Sequence, residues 1–332
     1  MSSADPTSSN DQRRKCAAFV HTPLDATAQV RLLELRPSVA QSPGDQLQLP
    51  VSDDFSRPIR CSILTTSIDN PPPYHALSYC WGEGKPSHSV DIDGAVLSIT
   101  ASLDSALRHL RHKEETVMLW IDQICINQGD NHEKSEQVKM MPRIYSMAKQ
   151  VLVWLGPAGQ GSDDAMDFYA KVGEAIRERG LQHYCSSEMM PLLGAAVQTE
   201  DPGDQLWQKL NTVQTLARQL LLPRLQAMVD WDRRPWFGRV WVVQEFCFGA
   251  DPVFVCGDKR LAADHVKTTR LLLGLGITAD FVEAVRNFGP DKLLLLETLA
   301  DDPTTAFFGA RTWRQRYEGG RPYPDNVMLE LL

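Results

Sequence analysis

Polar side chains able to do chemistry fall in this sequence where hydrophobic runs stop. Ser78 lies near the end of the run Tyr74 to Tyr79, Asp122 ends the run that starts at Leu119, and Asn127 and Gln128 follow in a polar stretch. Both runs read as buried strands. In parallel α/β sheets the carboxyl ends of strands border the ligand crevice, so polar residues gathered there are candidates for a site. Asp122 and Asn127 can equally hold a turn through backbone amides, and Ser78 can satisfy itself on backbone. A second set lies downstream. On a 3.6-residue period Trp236, Val240, Val243 and Cys247 share one helical face, and Trp241, Glu245 and Phe248 another. An indole one turn from a carboxylate can stack a flat cationic ring and hold negative charge beside a carbon that becomes positive as a bond breaks. The plain alternative is a core tryptophan beside an exposed or arginine-paired glutamate.

Other chemistries fail on spacing. Gly82-Glu-Gly84-Lys85-Pro86-Ser87 lacks the glycine spacing of a phosphate-binding loop, and Pro86 removes a donor amide. His132-Glu133 has no second histidine one turn on, so no paired imidazoles for zinc arise, and no G-x-S-x-G elbow exists. No metal site is expected. The 332-residue chain is 43% apolar, ample for a core, and its net charge of -8 without a Lys/Arg-rich run argues against nucleic acid as a partner. Seven scattered cysteines without C-x-x-C fit neither a disulfide framework nor zinc, so reduced, mostly buried thiols are expected. The N-terminus lacks the apolar core of a signal peptide, and no run approaches the ~20 apolar residues that span a bilayer. A cytoplasmic protein is the expectation.

Several elements must position these residues. Residues 1–28 are polar and read as a disordered tail. Gln29 to Leu35 and Ile59 to Ile68 read as strands, and Asn70 to Pro73 punctuates the chain before Tyr74. Asp93-Gly94 within Val90 to Thr100 signals a hairpin, and Ser102 is placed to cap the next helix. Leu119 to Leu155 reads as a β-loop-α-β unit whose helix turns Val138, Met141, Ile144, Tyr145 and Ala148 to one side, with Pro142 inside. Residues 157–232 read as a helical insertion, with helices at Asp163 to Arg179 and Gln205 to Leu222, forming a subdomain or lid. Pro235 suits the first turn of the helix carrying Trp241 and Glu245, and Gly249 its end. Val253 to Cys256 reads as a strand, and residues 261–332 as a helical extension. Its apolar ending, MLELL, implies that more protein follows or that a partner covers it.

Three segments carry a resemblance. YHALSYCWGE (Tyr74 to Glu83), LWIDQICINQ with Glu133, Glu136, Gln137 and Val138, and RPWFGRVWVVQEF (Arg234 to Phe246) are similar to the signature of the fungal heterokaryon-incompatibility (HET) domain, over residues 29–260. That resemblance implies an effector in non-self recognition and programmed cell death. The family is in turn distantly similar to the Toll/interleukin-receptor (TIR) domain, which implies a flavodoxin-like, mostly parallel sheet flanked by helices, with N-terminal β additions and the helical insertion. Leu77 to Tyr79 resembles the TIR first strand, and Trp241 with Glu245 the TIR tryptophan-to-glutamate spacing. By that likeness Glu245 is the catalytic residue of NAD cleavage, Trp241 stacks nicotinamide, and Ser78, Asp122 and Gln128 contact ribose or phosphates. NAD is then a substrate, and no cofactor is implied. Cys80-Trp81 and the insertion depart from the TIR pattern. The alternative is a non-enzymatic signalling module that self-associates or binds a trigger protein.

Overall fold

Val151 to Trp154 are buried without a break, as are Ala76 to Tyr79 and Phe254 to Cys256. Strands so apolar on both faces belong inside a parallel sheet. The computed structural model of the chain describes residues 17–38, 55, 57–159, 161–186, 188–239, 242–275 and 285, with Val242, Val243 and Gln244 described by backbone alone. In it β3 (His75–Tyr79), β6 (Val117–Trp120), β7 (Gln150–Trp154) and β8 (Val253–Cys256) run parallel, in the spatial order β6-β3-β7-β8. Numbered by appearance, these four strands stand 2-1-3-4, the doubly wound order whose connections part between the first and third strands. Here that fork lies between the carboxyl ends of β3 and β7.

The other strands extend this core at both edges to nine. β1 (Gln29–Leu35) lies antiparallel to β6 and to β2 (Arg60–Ser67). The hairpin of β4 (His88–Ile92) and β5 (Ala95–Ile99) joins β2, and β9 (Lys259–Ala262) returns along β8. Asp93 and Gly94 form the hairpin turn with φ of 51° and 86°, as the Asp-Gly signal requires. The sheet is thus α/β with a parallel core and N-terminal β additions.

Helices cover it. α1 (Ala101–Leu110) precedes β6, and the one-turn α2 (Asp122–Cys125) follows it. α3 (Asn131–Met147) buries Met141, Ile144 and Tyr145 with Ala148 just beyond its end, contains Pro142, and is capped by Asp130. α4 (Ser162–Glu178), α5 (Met190–Thr199), α6 (Gln205–Leu221) and α7 (Leu225–Asp232) form the insertion. They share one hydrophobic core with the sheet and with α9 (Ala263–Leu275), so the insertion is built into the body of the protein. Gly173 of α4 lies so close to α9 that an added Cβ would sit 2.5 Å from the His265 side chain. Arg270 of α9 pairs with Asp232 at the insertion's end.

Some local expectations are corrected. The helix after β5 is capped by Thr100, which accepts from the Leu103 amide, while the Ser102 hydroxyl donates to the Cys80 carbonyl. Asp122 opens α2 instead of a loop. Arg234 to Phe248 is not one helix: Pro235–Gly238 makes a 3-10 turn, Arg239 is extended, and α8 (Val242–Phe248) starts afterwards. Gly238 has low helix propensity and Trp236 is anchored elsewhere, so the helix breaks there. Residues 17–28 of the expected tail are tied down. Val96 exchanges backbone bonds with Ala17 and Phe19, His21 meets the Ile124 carbonyl at 2.8 Å, and Gln137 donates to Ala26. Residues 1–16, Trp241 and most of the C-terminal extension lie outside the described residues. None of the six described cysteines is in a disulfide, and five of them are buried.

Candidate functional site

Ser78 faces inward near the end of β3 and is fully buried. Its hydroxyl has one proton to give and can accept another. It gives to Glu245 Oε2 at 2.5 Å and accepts from Trp236 Nε1 at 2.8 Å. Trp236, on the 3-10 turn, is wedged among Phe237, Phe246 and Phe254, and this cage fixes the direction of its N–H. Glu245 comes from α8, which packs on α3, β3 and β7. Gly249 ends that helix against β7, where a Cβ would lie 2.3 Å from Val151 Cγ2. Only a glycine lets α8 approach so closely.

Asp122 arrives from the neighbouring strand β6. Both of its oxygens accept from Trp81 Nε1, at 3.1 and 2.9 Å, and Oδ1 also accepts the Gln123 amide at 2.7 Å. Gln128 returns over the same turn and donates to the Asp122 carbonyl at 2.8 Å. Asn127 has a loop-holding role, accepting the Gly129 amide. Asp122, Gln128 and Glu245 line one hollow of about 260 Å³ together with Trp81 and Arg239. Glu245 lies at its base, only 2% exposed.

The electrostatics of this hollow are uncomfortable for anions. Burial, then the negative charge of Asp122, pushes the Glu245 carboxyl up to about 7, against the pull of Ser78 and Arg239. Burial likewise raises Asp122 to about 6, against the hydrogen bond from Trp81 and the charge of Arg239. Arg239 spends Nη1 on the Tyr79 carbonyl and forms no ion pair with either acid. A carboxyl group pushed toward neutrality in a hollow is a candidate acid or base.

Ser78, Asp122, Gln128 and Glu245 are therefore brought together. Helical periodicity puts Trp236 on the face away from Glu245; the break at Arg239 instead brings its indole to the same serine. Trp81 and Arg239 escape the sequence reading, although both stand inside the aromatic segments that flag the site. The only signal they carry there is their position, two residues after β3 and directly after the Trp-Phe-Gly turn.

A family model for heterokaryon incompatibility protein (HET) matches residues 74–245, more than half of the chain, from the residue before β3 to the buried acid itself. The chain belongs to the HET family. It is similar to heterokaryon incompatibility protein 6, OR allele, of Neurospora crassa, with 37% identity over 307 residues, covering 86% of this chain. The chain spans 40% of the length of that relative. No solved structure matches it. The two ends of the HET match meet in space at the Ser78–Glu245 hydrogen bond.

Proposed function

We propose that this HET protein is an effector of fungal non-self recognition and cell death that acts by cleaving NAD through Glu245. The carrying observation is Glu245 itself, held by Ser78 at the base of a hollow and kept at raised pKa by burial and the Asp122 charge, which outweigh the pull of Arg239. The doubly wound order of the parallel strands supports the TIR-like reading, since ligands of such sheets sit at the carboxyl ends.

The chemistry asks little of the protein. The ribose C1′–N bond breaks, its electron pair neutralises the pyridinium nitrogen, and nicotinamide leaves without a proton. Ionised Glu245 stabilises the positive charge left on the ribose. Water then bonds to C1′, and its proton passes to Asp122, whose elevated pKa suits a base near neutrality. The products are nicotinamide and ADP-ribose. The stacking role read from the position of Trp241 has a second claimant in Trp81, whose indole borders the hollow.

Purified full chain, crowded or oligomerised, is incubated with NAD beside Glu245→Gln, and nicotinamide is measured. Release by the wild type alone is expected, rising with pH toward a plateau above about 7 as Glu245 ionises. Absence of release in every assembly state removes the enzymatic reading and leaves a module that works by association.

A further inference from the structure

A second, larger hollow of about 900 Å³ opens at the fork between β3 and β7. Its walls come from the segment after β3, the loop after β7 and the end of the helical insertion, with Trp81 and Arg239 shared with the smaller hollow. Small-molecule sites usually occupy roughly 300–1,000 Å³, so the smaller hollow alone has room for only a fragment of a dinucleotide. Five charged residues line the larger one: Arg233, Arg234 and Arg239 against Glu83 and Asp230.

The three arginines differ in what they are free to do. Arg234 is spent on structure: it donates to the carbonyls of Leu155, Pro157 and Gly159, gathered by a turn at Gly156 with φ of 104°. Arg239 has given one nitrogen to Tyr79, and the exposed Arg233 side chain has no hydrogen bond or ion pair among the described residues. None of the three is in a salt bridge there, so the excess positive charge is not cancelled. Guanidinium groups with open forks are suited to phosphate oxygens.

We propose that the larger hollow is the phosphate subsite of the same site, with Arg233 and Arg239 holding the diphosphate of a nucleotide whose ribose reaches Glu245 past Trp81. This rests on the dinucleotide reading above and extends it. The helical insertion thereby contributes to binding, because α7 and the residues just after it supply Asp230 and Arg233 to this wall.

The test is calorimetric titration of the full chain with ADP and, separately, with adenosine, for wild type and Arg233→Glu. The Arg233 side chain has no partner among the described residues to lose, and a thermal melt confirms that the variant is folded. ADP is expected to bind at least about ten-fold tighter than adenosine, and Arg233→Glu to weaken ADP on the order of ten-fold while leaving adenosine unchanged. Equal affinity for ADP and adenosine, or indifference of ADP to Arg233→Glu, overturns the subsite. Binding as expected without nicotinamide release leaves the subsite standing and defeats only the cleavage. Release combined with ADP binding indifferent to Arg233 does the reverse.

Discussion

On one side of the segment Asp122 to Gln128, Arg31 of β1 and Glu133 of α3 meet as a double hydrogen bond at 2.6 and 3.0 Å, with side chains 1% and 7% exposed. Arg31 also donates to the carbonyls of Cys125 and Thr22, and Glu133 accepts the Asn127 amide. On the other side, Asp122 and Glu245 share a hollow, repel each other, and face an arginine that bonds a carbonyl instead. The two constellations lie on the same rim of the same sheet, yet one satisfies its charges and the other withholds that satisfaction. Burial alone would raise the Glu133 carboxyl, but Arg31 and the Asn127 amide outweigh it and hold it below its ordinary value. Glu245 and Asp122 are raised. Acids held in such a state are candidates for chemistry, whereas the paired rim locks the loop that carries Gln128.

The sharpest way to break this contrast is at the paired side. Glu133→Ala strands a buried guanidinium and frees the Asn127 amide, so chemical denaturation should show a loss of about 3–5 kcal/mol. A loss below about 1 kcal/mol would erase the difference between the two sides.

Next in size is the pH dependence of the wild type. A carboxyl group whose folded value lies above its unfolded one keeps a proton that the unfolded chain has released. Between the ordinary glutamate value of 4.5 and about 7 the folded state binds more protons, so Glu245 makes stability fall as pH rises. Asp122 acts in the same direction between 3.8 and about 6. Glu133, lowered, has the opposite sign: its contribution is present above its unfolded value and is lost as pH falls through its folded one. Denaturant titrations from pH 5 to pH 8 should therefore show a decline on the order of 3 kcal/mol. A rise over that interval would mean that the hollow's acids are paired after all.

Smaller is Ser78→Ala, which leaves the Trp236 indole N–H and Glu245 without their shared partner. A loss of about 1–3 kcal/mol is expected at pH 8, and a smaller one at pH 5, where Glu245 carries a proton. An equal loss at both would show that only the indole depends on the serine.

The frame of this site was legible in the sequence because it is made of local patterns. The uninterrupted apolar runs mark β3, β6 and β7, Asp93-Gly94 marks the hairpin, and the 3.6-residue spacing marks α3, α4 and α6. Ser78, Asp122 and Gln128 follow from standing where those runs end. What stayed hidden is long-range. Trp81 finds Asp122 41 residues away and Trp236 finds Ser78 158 residues away, separations on which helical and strand periods say nothing. Periodicity also misled where it assumed an unbroken helix, because the break at Gly238 and Arg239 brings the Trp236 indole to the serine that holds Glu245. The E-x-x-x-Q pair of Glu133 and Gln137 belongs with the frame: Gln137 donates to the carbonyls of Ala26 and Gln29 as Glu133 grips Arg31, so both strap the start of β1 to α3.

The difference between the two rims reduces to one comparison, the stability of Glu245→Gln against wild type at pH 8 by denaturant titration. Removing a charge that the hollow leaves unpaired should make the protein as stable as wild type or more so. A loss of several kcal/mol, of the kind expected for Glu133→Ala, would place Glu245 among the structural acids and contradict the catalytic role proposed for it.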